Sequence, residues 1–112
     1  MDYIDIALEE KKLRENVFKN YLDYIKKIKE IVKKELRDFN IYIFGSVVRG
    51  DYNVMLSDID IAIVTDEKIN DIELKIKIEK QIGIIGLFQI HIISKRIWEN
   101  WYLRFIDKFI EV

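Results

Sequence analysis

The chain has 112 residues, half of them apolar and 35% charged, with a formal net charge of −1, no cysteine and no proline. That composition fits one soluble domain around a single core. It excludes disulfides, thiolate metal sites and cysteine nucleophiles, and the near-neutral charge argues against a general nucleic-acid binder.

Isoleucine fills 23 positions, so β-branched packing should dominate the core, and the Lys- and Glu-rich, proline-free composition leans toward a heat-adapted source. No apolar run approaches the roughly 20 residues a membrane span needs. The acidic opening MDYIDIALEEKK lacks the features of a signal peptide, so a cytoplasmic location is expected.

In chain order, apolar residues recur at helical spacing from Leu13 through Val17, Phe18, Tyr21, Leu22, Ile25, Ile28, Ile31, Val32 and Leu36. This predicts one long or two short amphipathic helices over residues 5–38. The segment is basic, with ten Lys/Arg against four Asp/Glu over residues 11–37. A solvated helix face explains that; a surface for RNA is the sharper alternative. Asn40–Phe44 reads as a strand stopped by Gly45, Ser46–Gly50 as a helical turn, and Asp51–Ser57 as a loop. Asp58–Thr65 is the second strand. Asn70-Asp71 then offers a cap for a helix that Gly83 and Gly86 break. Leu87–Ile93 is the third strand, and Ser94 caps a last helix carrying Trp98, Trp101 and Phe105. The expected fold is α/β (α+β): one domain, 1–112, with a small mixed sheet of three to four strands flanked by helices. Its parts are a helical segment (1–38), a sheet core (39–94) and a C-terminal helix (95–112).

The chemistry concentrates in IFGSVVRGDYNVMLSDIDIAIV, residues 43–64. A strand ending in Gly45 can turn sharply and admit a ligand close to the backbone. A helix starting at Ser46 would aim free N–H groups, and the Ser46 hydroxyl, at an anion; most such junctions are merely caps. In a strand, Asp58 and Asp60 share a face and Ile59, Ile61 and Ile63 the opposite one. Two carboxylates side by side repel, and a divalent cation relieves them; Mg²⁺ suits, since it takes oxygen ligands together with substrate phosphates. The plainer reading is a solvated pair on a strand edge.

Taken together, Gly45-Ser46, Arg49-Gly50 and Ser57-Asp58-Ile59-Asp60 form one ordered constellation. It resembles the nucleotidyltransferase superfamily of the DNA polymerase β type, with its pattern G-S-x-x-R-G…S-D-x-D. In particular it resembles the minimal nucleotidyltransferases, single-domain proteins of about this length. The resemblance implies transfer of a nucleotidyl group, AMP from ATP in the expected case, onto a hydroxyl acceptor with release of pyrophosphate. It implies that Gly45 and Ser46 hold the triphosphate and that Asp58 and Asp60 ligate Mg²⁺. Arg49 would either pair with phosphate or brace its loop, and Ser57 would fix the approach to the strand.

The family pattern calls for a third carboxylate on the next strand. That strand reads Leu87-Phe88-Gln89-Ile90-His91-Ile92-Ile93, and Gln89 stands at about the expected position. Gln89 can offer a carbonyl oxygen but accepts no proton at neutral pH. His91, the chain's single histidine, could serve as base or ligand, or be a hydrogen-bonded structural residue. Two functional readings follow. One is an active Mg²⁺-dependent nucleotidyltransferase using Asp58, Asp60, Gln89 and His91. The other is a catalytically impaired binding module. Minimal nucleotidyltransferases resemble antitoxins paired with helical HEPN-domain toxins, so a homodimer or a HEPN-like partner is the expected complex.

Overall fold

The computed structural model describes residues 2–112. Two helices come first, α1 (Tyr3–Lys19) and α2 (Tyr21–Lys33), which settles the one-or-two question in favour of two. Asp2 caps α1 by accepting from the Asp5 N–H at 2.9 Å. The break falls at Asn20, whose side-chain amide donates to the Asn16 carbonyl at 3.0 Å and so competes with the helical ladder. Helix α2 is sharply amphipathic: Ile25, Ile28, Ile31 and Val32 are buried.

Strand β1 (Asn40–Phe44), the four-residue helix α3 (Ser46–Arg49) and strand β2 (Ile59–Val64) follow, then helix α4 (Asp71–Ile82) and strand β3 (Phe88–Ile93). Asn70 caps α4 by accepting from the Glu73 N–H at 3.1 Å, and Gly83 ends it in the left-handed conformation at φ 79°. Ile72, Leu74, Ile76 and Ile78, which alternate along the chain, belong to this helix, with Leu74 and Ile78 buried.

The C-terminal region departs from expectation. The helix predicted over 95–112 runs only to Phe105, as α5 (Lys95–Ile97), a π-helical turn (Trp98–Tyr102) and α6 (Leu103–Phe105). Strand β4 (Phe109–Glu111) then returns to pair antiparallel with β1, Ile43 opposite Ile110. The sheet order is β3-β2-β1-β4. Strands β1 and β2 are antiparallel, with Phe44 opposite Asp60; β2 and β3 are parallel, with Asp60 beside Gln89 and Ala62 beside His91.

Both faces of the sheet are covered. On one, Ile41, Ile43, Ile59, Ile61, Ile63 and Ile90 pack against α2, α4 and the end of α1, as the alternation of β2 predicts. Fully burying each such side chain contributes about 1.5–3 kcal/mol. On the other, Ala62, Val64 and Ile93 pack under Trp98, with Tyr42, Phe44 and Tyr102 around them. Tyr42 and Trp98 stack with centroids 4.5 Å apart and planes 14° apart, which moors the C-terminal segment. Among the described residues no helix is long and apolar enough to cross a membrane.

Candidate active site

The second face opens where β1 ends and β2 begins. There a cavity of about 490 Å³ is lined by Phe44, Gly45, Ser46, Arg49, Asp58 and Asp60 on the sheet side. Trp101, Tyr102, Phe105, Ile106 and Asp107 of the C-terminal segment complete it. Five of the seven residues singled out in the sequence thus meet in one place. Asp58 lies one residue before β2 rather than within it.

Gly45 is required by two independent observations. Its φ is 84°, a region L side chains rarely adopt. A Cβ at this position would also overlap Oδ2 of Asp60, so the missing side chain is what lets the Asp60 carboxylate lie against the β1 turn. Ser46 and Val47 open α3, and their N–H groups have no carbonyl one turn back to bond. Helix α3 has four residues, so what it offers is these local donors and the Ser46 hydroxyl.

The loop between α3 and β2 is held from a distance. Arg14 of α1 donates through Nε to the Val54 carbonyl and through Nη2 to the Ser57 carbonyl. The Ser57 hydroxyl accepts from the Asn53 N–H at 2.9 Å, so Ser57 does fix the approach to β2. Arg49 lines the cavity, and its Nε lies 3.3 Å from both Asp51 carboxylate oxygens.

Gln89 and His91 stand apart from the cavity wall. Gln89 lies beside Asp60 in the strand register but faces solvent. His91 meets Asp60, Nε2 to Oδ1 at 3.4 Å. Its Nδ1 lies 3.5 Å from the Tyr102 hydroxyl, and its ring packs against Phe44 at 5.4 Å. This is a bracing position.

The cavity lining carries three carboxylates, Asp58, Asp60 and Asp107, against one guanidinium, Arg49, an excess that favours a cation. Among the described residues no three acidic, histidine or cysteine side chains gather closely enough to hold a metal by themselves. Asp58 and Asp60 are hard oxygen donors suited to Mg²⁺, which commonly takes only one or two carboxylates and completes its shell with water and phosphate. The pair therefore fits a metal delivered with a phosphate substrate, and does not fit an all-protein cage.

The aromatic wall and Asp107 carried no usable signal in the sequence. Their placement depends on β4 pairing and on the π-helical turn, in which the Leu103 N–H reaches back to the Trp98 carbonyl.

Residues 25–110 match the family model described as a nucleotidyltransferase domain. The chain belongs to that family, as the resemblance to the DNA polymerase β-like superfamily implied. One solved structure, described as a "putative nucleotidyltransferase", is 42% identical. Its TM-score is 0.58, and the match covers 79% of this chain and 96% of that one. A second, so described from Sulfolobus solfataricus, shares the fold at 23% identity and TM-score 0.59, over 88% of this chain and 84% of its own. No curated protein matches the chain.

Proposed function

We propose that the cavity binds a nucleoside triphosphate with Mg²⁺ and that the protein transfers the nucleotidyl group, AMP from ATP, to a hydroxyl acceptor. The observation that carries this reading is the convergence of Gly45, Ser46, Arg49, Asp58 and Asp60 on one cavity in a chain of the nucleotidyltransferase family. Asp58 and Asp60 would hold Mg²⁺, which when bound supplies charge neutralisation to the phosphates and to the attacking and leaving oxygens. Ser46 and the α3 amides donate to phosphate oxygens. Arg49 exchanges its Asp51 partner for phosphate, or keeps it and stiffens the loop. His91 holds one oxygen of Asp60 and so fixes the rotamer of that carboxylate. The acceptor site would be completed by a second chain, or would take a substrate small enough to need none.

The test is transfer from α-labelled ATP to protein or small-molecule hydroxyls in the presence of Mg²⁺. Label should appear with wild type and vanish with Asp58→Asn/Asp60→Asn. A strictly monomeric protein that labels a large acceptor unaided would rule out the second-chain requirement.

One observation favours a second reading. Gln89, not an acid, stands beside Asp60, so β3 brings no carboxylate to take a proton from the acceptor, and the ring nitrogens of His91 face Asp60 and Tyr102 instead. On this reading the protein binds nucleotide and acts through association with a helical, HEPN-like partner. Metal-dependent ATP binding without transfer under any acceptor condition would select it.

A further inference from the structure

The cavity has two chemically different ends, and the proposed triphosphate seat accounts for only one. We propose that Trp101 and Phe105 form the platform on which the nucleobase of the bound nucleotide stacks. This deepens the nucleotide-binding reading and rests on it.

Trp101 is 63% exposed and Phe105 71% exposed, although the segment that carries them is firmly seated. Trp98, three residues earlier, is only 4% exposed. It stacks on Tyr42 and meets Phe109 edge-on at 5.8 Å. Tyr102 sits edge-on to Phe44 at 6.2 Å. The helical segment is thus pinned to the sheet by one set of aromatics while a second set is held out over the cavity. Trp101 and Phe105 contact each other at 5.6 Å, tilted by 58°, and both line the cavity with Ile106. π-Helical turns are rare and concentrate at functional sites; here the turn spans Trp98–Tyr102 and includes Trp101 itself.

A nucleoside triphosphate has the same division: a charged chain at one end and a flat aromatic base at the other. The cavity's 490 Å³ falls within the roughly 300–1,000 Å³ of small-molecule sites. Its orientation is fixed by charge. The sheet end holds Arg49, the Ser46 hydroxyl and the Asp58–Asp60 pair that would carry Mg²⁺, whereas the aromatic end carries Asp107 and no cationic side chain, so a metal-bound triphosphate is favoured at the sheet end. Because every base has a π-face, such a platform recognises a nucleobase as a class rather than one base.

The experiment compares binding of Mg²⁺-ATP and Mg²⁺-tripolyphosphate by calorimetry to wild type, Trp101→Ala, Phe105→Ala and Trp101→Phe. Both replaced rings are solvent-exposed, and unchanged melting temperatures confirm that the variants fold. Wild type should bind ATP more tightly than tripolyphosphate. Either alanine variant should weaken ATP about tenfold, the scale of one stacking contact, and leave tripolyphosphate unchanged; Trp101→Phe should recover most of the loss. Equal affinity of wild type for the two ligands overturns the platform while the phosphate-site reading survives. So does an undiminished ATP affinity in both alanine variants, including the case where they instead lower the oligomeric mass. Failure of wild type to bind either ligand removes the nucleotide reading itself, and the platform with it.

Discussion

At the scale of single residues, the site is built from what is absent as much as from what is present. Gly45 has no side chain where Asp60 needs room. Gly45→Ala should therefore displace the Asp60 carboxylate and abolish Mg²⁺-dependent nucleotide binding, while circular dichroism still shows a folded chain; calorimetry gives the first and the spectrum the second. Gln89→Glu addresses the missing acid. It places a carboxylate beside Asp60 in the β2–β3 register, where like charges cost about 0.2–1 kcal/mol. The variant should melt below wild type in a metal chelator and regain the difference in Mg²⁺; the same lower melting point with and without Mg²⁺ would show that position 89 does not reach a metal. Gly45, Ser46, Arg49, Asp58 and Asp60 were legible in the sequence because they lie within one short segment, where strand alternation and a turn-forming glycine fix their relative placement. For His91 a hydrogen-bonded structural role was among the readings, but its partner was not legible: the contact with Asp60 comes from the register of two strands separated by a helix, which spacing along the chain does not encode.

At the scale of elements, the site depends on two distant clamps. Arg14 of α1 holds the Val54 and Ser57 carbonyls, tying the N-terminal helix to the loop that delivers Asp58. Hydrogen bonds from a charged donor are worth about 1.5–3 kcal/mol each. Arg14→Ala should lower stability by an amount of that order and weaken nucleotide binding, whereas Arg14→Lys, a point charge without the planar fork, should rescue only part. The other clamp is Tyr42 against Trp98. Burial, with Glu111 and then Glu99 nearby, raises the Tyr42 pKa above its ordinary 10.0. The folded state therefore resists ionisation of this phenol. Its contribution to stability is complete below the unfolded value and is lost as pH rises through the folded one. Denaturant midpoints measured across that alkaline range should fall less steeply for Tyr42→Phe than for wild type. Most of the strands and helices were legible from periodicity, caps and glycine stops. Strand β4 was not, because its three residues, Phe109–Glu111, are exposed and show no buried alternation. A strand that short is defined by its partner β1.

At the scale of the whole molecule, the domain buries both faces of a four-stranded sheet and leaves one end open. The isoleucines opposite Asp58 and Asp60 make the rigid side. The aromatics beneath the C-terminal segment make the side that returns over the site. The first was legible in the sequence, since every second residue of β2 is apolar; the helical spacing of Trp98, Trp101 and Phe105 does not separate the buried Trp98 from the exposed Trp101 and Phe105. The labour is divided between two layers: the carboxylate pair sits at the edge of the isoleucine-packed sheet, and the cavity is closed by a segment whose geometry is set by tertiary pairing.

The most direct measurement of the central claim is calorimetric titration of ATP into the protein with and without Mg²⁺, repeated on Asp58→Asn/Asp60→Asn. The account predicts saturable binding that requires Mg²⁺ and is lost in the double variant. Binding that is indifferent to Mg²⁺ and to both aspartates would contradict it.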